Sequence, residues 1–187
     1  MPARWAKNFT GGFQNNLKEL FEQAVQGQAF EYAVIPTVAI VFSQELLNAC
    51  ATNKCGKYNK CWTCPPAVGP LEEQKKKITA FSGAFVFTTK SELDDSFDYE
   101  GMMAAKERHD RLTAHMHERF GKTNPVFGAG GCTLCETCAY PAPCRFPEKT
   151  FSSIEAAGIN VTELGRACGL RYNNGENTVT YFSMILF

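Results

Sequence analysis

The chain has 187 residues, and its 19 Lys and Arg balance 19 Asp and Glu. Neutral charge gives no general pull toward nucleic acid or an anionic membrane, and 44% hydrophobic against 20% charged residues excludes a disordered chain. The composition is that of an ordinary globular protein except in one respect, its 9 cysteines; a chain of this length does not need disulfides to rescue a small core.

Residues 1–10 have no apolar h-region and no small-residue cleavage site, which predicts no secretory signal and a cytoplasmic location. The most apolar run, 33–42, is interrupted by Pro36 and is too short to span a bilayer. A helix is expected over 15–26, where Leu17, Leu20, Phe21, Ala24 and Val25 recur at helical spacing before Gly27. A strand is expected over 30–35, stopped by Pro36, then a short helix capped by Ser43 and running into Cys50. A helix-poor loop over 51–69 precedes Pro70, which suits the start of a helix over 71–81. Lys75, Lys76 and Lys77 read as its solvated face. A buried strand is expected over 84–89 and an acidic turn over 91–98. The longest helix is expected over 99–120 with Gly121 after it. Its Leu112, Met102, Met103 and Met116 read as core, and His109, His115 and His117 as exposed or partly packed, since no two share a helical face well. Ser152 or Ser153 is expected to cap a short helix to Ala157, and a second short helix over 162–168 closes at Gly169. The apolar, β-branched and aromatic tail over 178–187 is a strand. Strands separated by helices predict an α/β or α+β fold: one compact domain over 1–187, a small central sheet flanked by helices, and cysteine-rich loops at 50–66 and 131–147.

The cysteines carry the chemistry. They divide into Cys50-x4-Cys55-x5-Cys61-x2-Cys64, followed by Pro65 and Pro66, then Cys132-x2-Cys135-x2-Cys138-x5-Cys144, with Cys168 alone. In a reducing cytosol such clusters are metal ligands or redox thiols; a disulfide framework belongs to a secreted chain, and an odd number counts against it. Three cysteines spaced three apart let the backbone curl around one corner of an iron–sulfur cubane, with a fourth supplied from farther along. Ferredoxins use C-x2-C-x2-C-x3-C-P; here the last gap is five residues, and Pro147 comes three after Cys144. Cys144 therefore closes either its own group's site or that of the first group. Lys54, Lys57 and Lys60 lie among the first four cysteines with no acid between Cys50 and Cys64, so they can offset the negative charge of a thiolate-bound cluster. Tyr58, Trp62, Tyr140 and Phe146 are placed to screen the sites from water.

Zinc is the rival occupant, as two four-cysteine groups can make two closed tetrahedral sites, though the irregular outer gaps are not those of paired knuckles. A thioredoxin-type dithiol at Cys61 and Cys64 lacks the helix that would lower a thiolate pKa. The C-x3-C-x2-C pattern of radical S-adenosylmethionine sites is absent, as are phosphate-binding and serine-nucleophile motifs. Cys168, beside Leu164 and Ala167, reads as packing.

Two segments, 55–66 (CGKYNKCWTCPP) and 131–147 (GCTLCETCAYPAPCRFP), resemble motifs of a family of small bacterial and archaeal proteins described as predicted metal-binding, domain of unknown function 2284. Residues 153–161 (SIEAAGINV) and the closing strand resemble the family's usual ending, and the likeness runs from about Glu31 onward. Asn59 departs from the pattern, where a glycine-lysine pair follows the tyrosine, and Cys61 is an additional cysteine. The resemblance implies metal binding and supplies no reaction. The expectation is an iron–sulfur protein holding one or two 4Fe–4S clusters on Cys132, Cys135, Cys138, Cys144, Cys50, Cys55, Cys61 and Cys64. Its expected role is electron transfer or reductive support of a partner enzyme in an oxygen-poor metabolism, with a redox partner protein and with neither nucleic acid nor membrane. The alternatives are a small reductase with an open iron position and a zinc-stabilised interaction module. Eight thiolates and two clusters would carry the neutral chain to about −4.

Overall fold

In the computed structural model, residues 12–187 are described; the N-terminal stretch read for a signal lies outside them. The elements run α1 (Gly12–Val25), β1 (Glu31–Pro36), α2 (Gln44–Ala51), α3 (Leu71–Thr79), β2 (Gly83–Glu92), α4 (Tyr99–Phe120), β3 (Val126–Gly128), β4 (Ser152–Ser153), α5 (Val161–Cys168) and β5 (Thr178–Leu186). The strands form one mixed sheet in the order β1-β2-β5-β3-β4. β1–β2, β2–β5 and β5–β3 are antiparallel, with Ala33 opposite Val86, Phe85 opposite Ile185 and Phe127 opposite Met184. β3 and β4 are parallel, Gly128 opposite Ser153.

The two-residue alternation of the strands makes both sheet faces apolar. Ala84, Val86, Phe182, Met184 and Leu186 pack with Ile78 of α3, Leu164 of α5 and the turn residues Ile154, Ala157 and Ile159. Phe85, Phe87 and Ile185 pack on the other side with Phe21, Ala24 and Val25 of α1 and Leu112 and Met116 of α4. The fold is a three-layer α/β/α unit, as the alternation of strands and helices predicts. No helix among the described residues is long and apolar enough to cross a membrane.

Most elements lie where the sequence puts them, α4 with the same bounds. The Asp98 side chain caps it by accepting from Gly101 N–H at 2.8 Å. Ser43 sits at the N-cap of α2 without a side-chain hydrogen bond; its own N–H donates instead to the Gly158 carbonyl at 2.7 Å.

Three expectations are corrected. The helix expected from Ser152 or Ser153 to Ala157 is a strand followed by one tight turn. Ser153 does cap, its Oγ accepting from Ala156 N–H at 3.0 Å. The Ile154 N–H, however, is taken by the Gly128 carbonyl at 2.9 Å, which commits this stretch to the sheet edge. Gly158 then leaves the turn at φ +77°, where an added Cβ would collide with Leu71. Secondly, His109 is fully buried rather than exposed or partly packed. Its Nδ1 pairs with Thr89 Oγ1 at 2.9 Å and its Nε2 with Ser183 Oγ at 2.8 Å, so two strands supply the partners that its own helix lacks. Thirdly, of the expected core residues on α4, Leu112 and Met116 are buried but Met103 is 47% exposed. β3 is an addition, three residues too short to carry a pattern.

Candidate metal centre

The first cysteine group begins in the last turn of α2 and continues through the loop to α3. Backbone bonds shape this loop: Asn53 N–H to Cys50 O at 2.9 Å, Asn59 N–H to Pro65 O at 2.9 Å and Cys64 N–H to Cys61 O at 3.1 Å. Asn53 and Asn59 both sit at φ +54°. That left-handed conformation favours glycine and tolerates asparagine. It accounts for Asn59 standing where the resembling family has glycine. The asparagine adds something a glycine lacks, since its Oδ1 accepts from the Tyr140 hydroxyl at 3.3 Å.

The second group lies on the long connection from β3 to β4. Parallel neighbours need such a crossover, and here it carries cysteines in place of a helix. The connection is held to α4 by His117, whose Nε2 pairs with the Glu148 carbonyl at 3.0 Å. Arg145 donates to the Thr137 carbonyl at 2.6 Å and so ties the Cys144 end back onto the loop.

The two loops face each other. Trp62 Nε1–H donates to the Ala142 carbonyl at 2.9 Å, and its ring meets Tyr140 edge-on at 4.9 Å. Thr63 lies at the centre of the contact, only 5% exposed. Its Oγ1 accepts from Cys132 N–H at 3.3 Å and is 3.3 Å from Cys61 Sγ. Gly131 passes so close that an added Cβ would stand 3.4 Å from Cys64 Sγ and 3.2 Å from Lys57 Cγ. Sequence reading passed over Thr63, because its partner lies 69 residues away.

The thiols sort by place rather than by sequence group. Cys132, Cys135, Cys138 and Cys144 line one cavity, so Cys144 stays with its own group. Cys61 lines the same cavity, together with Trp62, Leu134 and Phe146. Cys61 is fully buried and close enough to Cys64 and Cys138 to act on both. It therefore bridges the loops. Cys50, Cys55 and Cys64 are not in the lining of that cavity; Cys55 is exposed, Cys50 half-buried, and Cys64 buried beside Gly131. Among the described residues no three His, Cys, Asp or Glu side chains close around a single metal-ion position.

Local chemistry differs from thiol to thiol. Burial and the neighbouring Cys61 push Cys64 up to about 12, while the Thr63 hydroxyl acts the other way. Burial also raises Cys50 and Cys132. Cys138 goes down instead, because the nearby backbone N–H groups of Tyr140, Trp62 and Ala139 favour the thiolate. Cys168 stands apart on α5, packed against the core, and burial raises it to about 12. Lys54 and Lys60 are exposed, and Lys57 is half-buried against Gly131.

A loop pair presenting eight thiols is a donor set for thiophilic metal. The family described as predicted metal-binding protein, domain of unknown function 2284, matches residues 33–187, a span that contains every cysteine. The chain belongs to that family. No curated protein and no solved structure matches it. The family's description agrees with the donor set in kind, and the facing loops give it a location: both cysteine motifs of this predicted metal-binding protein meet at Cys61 and Thr63.

Proposed function

We propose that this protein is a cytoplasmic iron–sulfur protein whose Cys132, Cys135, Cys138 and Cys144 hold a 4Fe–4S cluster. The observation that carries the reading is that these four cysteines, the first three at the spacing of a cubane-binding run, line one cavity with apolar and aromatic neighbours. The donor set fits such a group in a second respect. Backbone N–H groups near the Cys138 sulfur already favour its thiolate, and N–H groups directed at ligand sulfur are a principal means by which a protein tunes a cluster. Trp62, Leu134 and Phe146 give the cavity apolar walls, and Lys57 brings positive charge to the loop contact. A cluster held there supplies one-electron transfer. The chain's own residues would fix the thiolates and offset charge while leaving the site near the surface, which suits delivery of electrons to a partner protein.

The test is anaerobic purification followed by absorbance and mutation. The expected protein is brown, with broad absorbance at about 400 nm that bleaches on reduction. Cys135→Ser should lose roughly one cluster's worth of iron, about four per chain, while Cys168→Ser keeps the wild-type amount. A colourless protein containing zinc, or a Cys135→Ser variant that retains all its iron, contradicts the proposal.

A further inference from the structure

The wall of the thiol cavity reaches the surface. Trp62, Leu134 and Phe146 all line the cavity, yet they are 37%, 45% and 38% exposed. Three large apolar side chains left partly in water around one group of thiols make a rim. Cys132, Cys135, Cys138 and Cys144 are only half-buried themselves, so whatever they hold lies close behind that rim. The rim is held in place. Trp62 is fixed by its bond to the Ala142 carbonyl at 2.9 Å and by the edge-on ring of Tyr140. Phe146 carries the Lys149 ammonium 6.0 Å from its ring centre.

Charge around the rim is one-sided. Segments 50–66 and 131–150 contain Lys54, Lys57, Lys60, Arg145 and Lys149 against only Glu136 and Glu148. All of these cations except Lys57 are exposed, and none of the five belongs to an ion pair among the described residues. Arg145 lines the cavity, with its guanidinium anchored on the Thr137 carbonyl at 2.6 Å. Because the whole chain is neutral, the rest of it is acidic by the same amount. The molecule is therefore polarised, with its positive side at the thiols. A 4Fe–4S cluster on four thiolates would subtract about two charges there, less than the excess of cations.

A small apolar rim ringed by cations suits a brief contact that charge steers and aligns. Three side chains are too few for a permanent interface, and electron-transfer contacts are small. A lipid surface also attracts cations and apolar groups, but a headgroup accepts no electron. We propose that this rim is the docking face for an acidic one-electron carrier protein, with Trp62, Leu134 and Phe146 at its centre and the exposed cations around them. This rests on the iron–sulfur reading above, and it adds where the electron leaves and what charge its acceptor carries. In the step, one electron passes from the reduced cluster to the carrier's metal; no bond forms or breaks.

The experiment uses the full-length holoprotein, purified and reduced anaerobically, and two carriers of opposite charge: plastocyanin, an acidic blue-copper protein, and cytochrome c, a basic haem protein. Stopped-flow absorbance follows reduction of copper(II) to copper(I) and of haem iron(III) to iron(II) as salt is raised. The plastocyanin rate should fall about tenfold between ~0.01 M and ~0.3 M salt, and the cytochrome c rate should not fall. Lys60→Glu with Lys149→Glu should keep wild-type iron and slow plastocyanin about tenfold at low salt. Lys18→Glu with Arg171→Glu makes the same change of net charge on α1 and beside β1, and should leave that rate within about twofold. A plastocyanin rate that is flat or rises with salt, or that responds equally to both double variants, overturns the proposal. So does binding to vesicles of phosphatidylserine and phosphatidylcholine with plastocyanin rates indifferent to salt, which would make the rim a membrane contact. Wild type without iron and sulfide sinks the parent reading together with this one; wild type that holds its cluster but shows the wrong salt dependence removes only the docking face.

Discussion

Thr63 joins three chemically active groups through one hydroxyl: Cys61 Sγ, the Cys64 thiol and the Cys132 N–H. Thr63→Val keeps the shape and removes that hydroxyl, leaving the part-buried Cys132 N–H without its acceptor. The expected cost is about 1–3 kcal/mol, read as a lower urea midpoint and faster loss of metal to a chelator; an unchanged midpoint and unchanged release would show that the loops are held together without it. His109 gives a pH prediction. Burial, with Lys106 adding to it, lowers its pKa to about 4, against an unfolded value of 6.5. Below pH 6.5 the unfolded chain takes up a proton that the folded chain refuses, so stability falls as pH drops from about 6.5 toward 4, by roughly 3 kcal/mol in all. His109→Gln should flatten that slope in urea midpoints taken across the window; an unaltered slope assigns it to other groups. The cysteines were legible at this scale because their spacing is itself the signal. Thr63 and His109 were not, since their partners come from other elements, as Ser183 does to His109 across 74 residues.

Elements with both a period and a cap were read well. α4 has Asp98 before it and Gly121 after it, and α5 is capped by Asn160, whose Oδ1 accepts from Thr162 and Glu163 N–H, and ends at Gly169 in the left-handed conformation. Asp98→Ala should destabilise the protein by about 1 kcal/mol through the lost cap of α4, measured by urea unfolding; no change would mean that water replaces the Asp98 carboxylate there. The stretch 152–158 was misread because a serine cap and a following glycine mark a single turn as well as a helix. What decides between them is the Gly128 carbonyl, which takes the Ile154 N–H and which no local pattern contains. β3 and β4 escape for a related reason: strands of three and two residues are defined by their neighbours.

At the scale of the molecule, a sheet with two apolar faces fixes the ends of α2, β3 and β4, and these ends deliver the cysteine loops to each other. The sequence division of four, four and one cysteines becomes, in space, five around one cavity, with Cys50, Cys55 and Cys64 outside its lining and Cys168 apart on α5. The neutrality of the chain changes with it. On the proposed reading, four ligand thiolates and one 4Fe–4S cluster would bring the holoprotein to about −2, so it should bind an anion exchanger more tightly than the metal-free chain at pH 7; equal retention would argue against a charged centre. The central claim is tested most directly by iron and acid-labile sulfide analysis of the wild-type protein purified without oxygen. The account predicts iron and sulfide in near-equal amounts, with at least about four of each per chain. Zinc without iron or sulfide would contradict it.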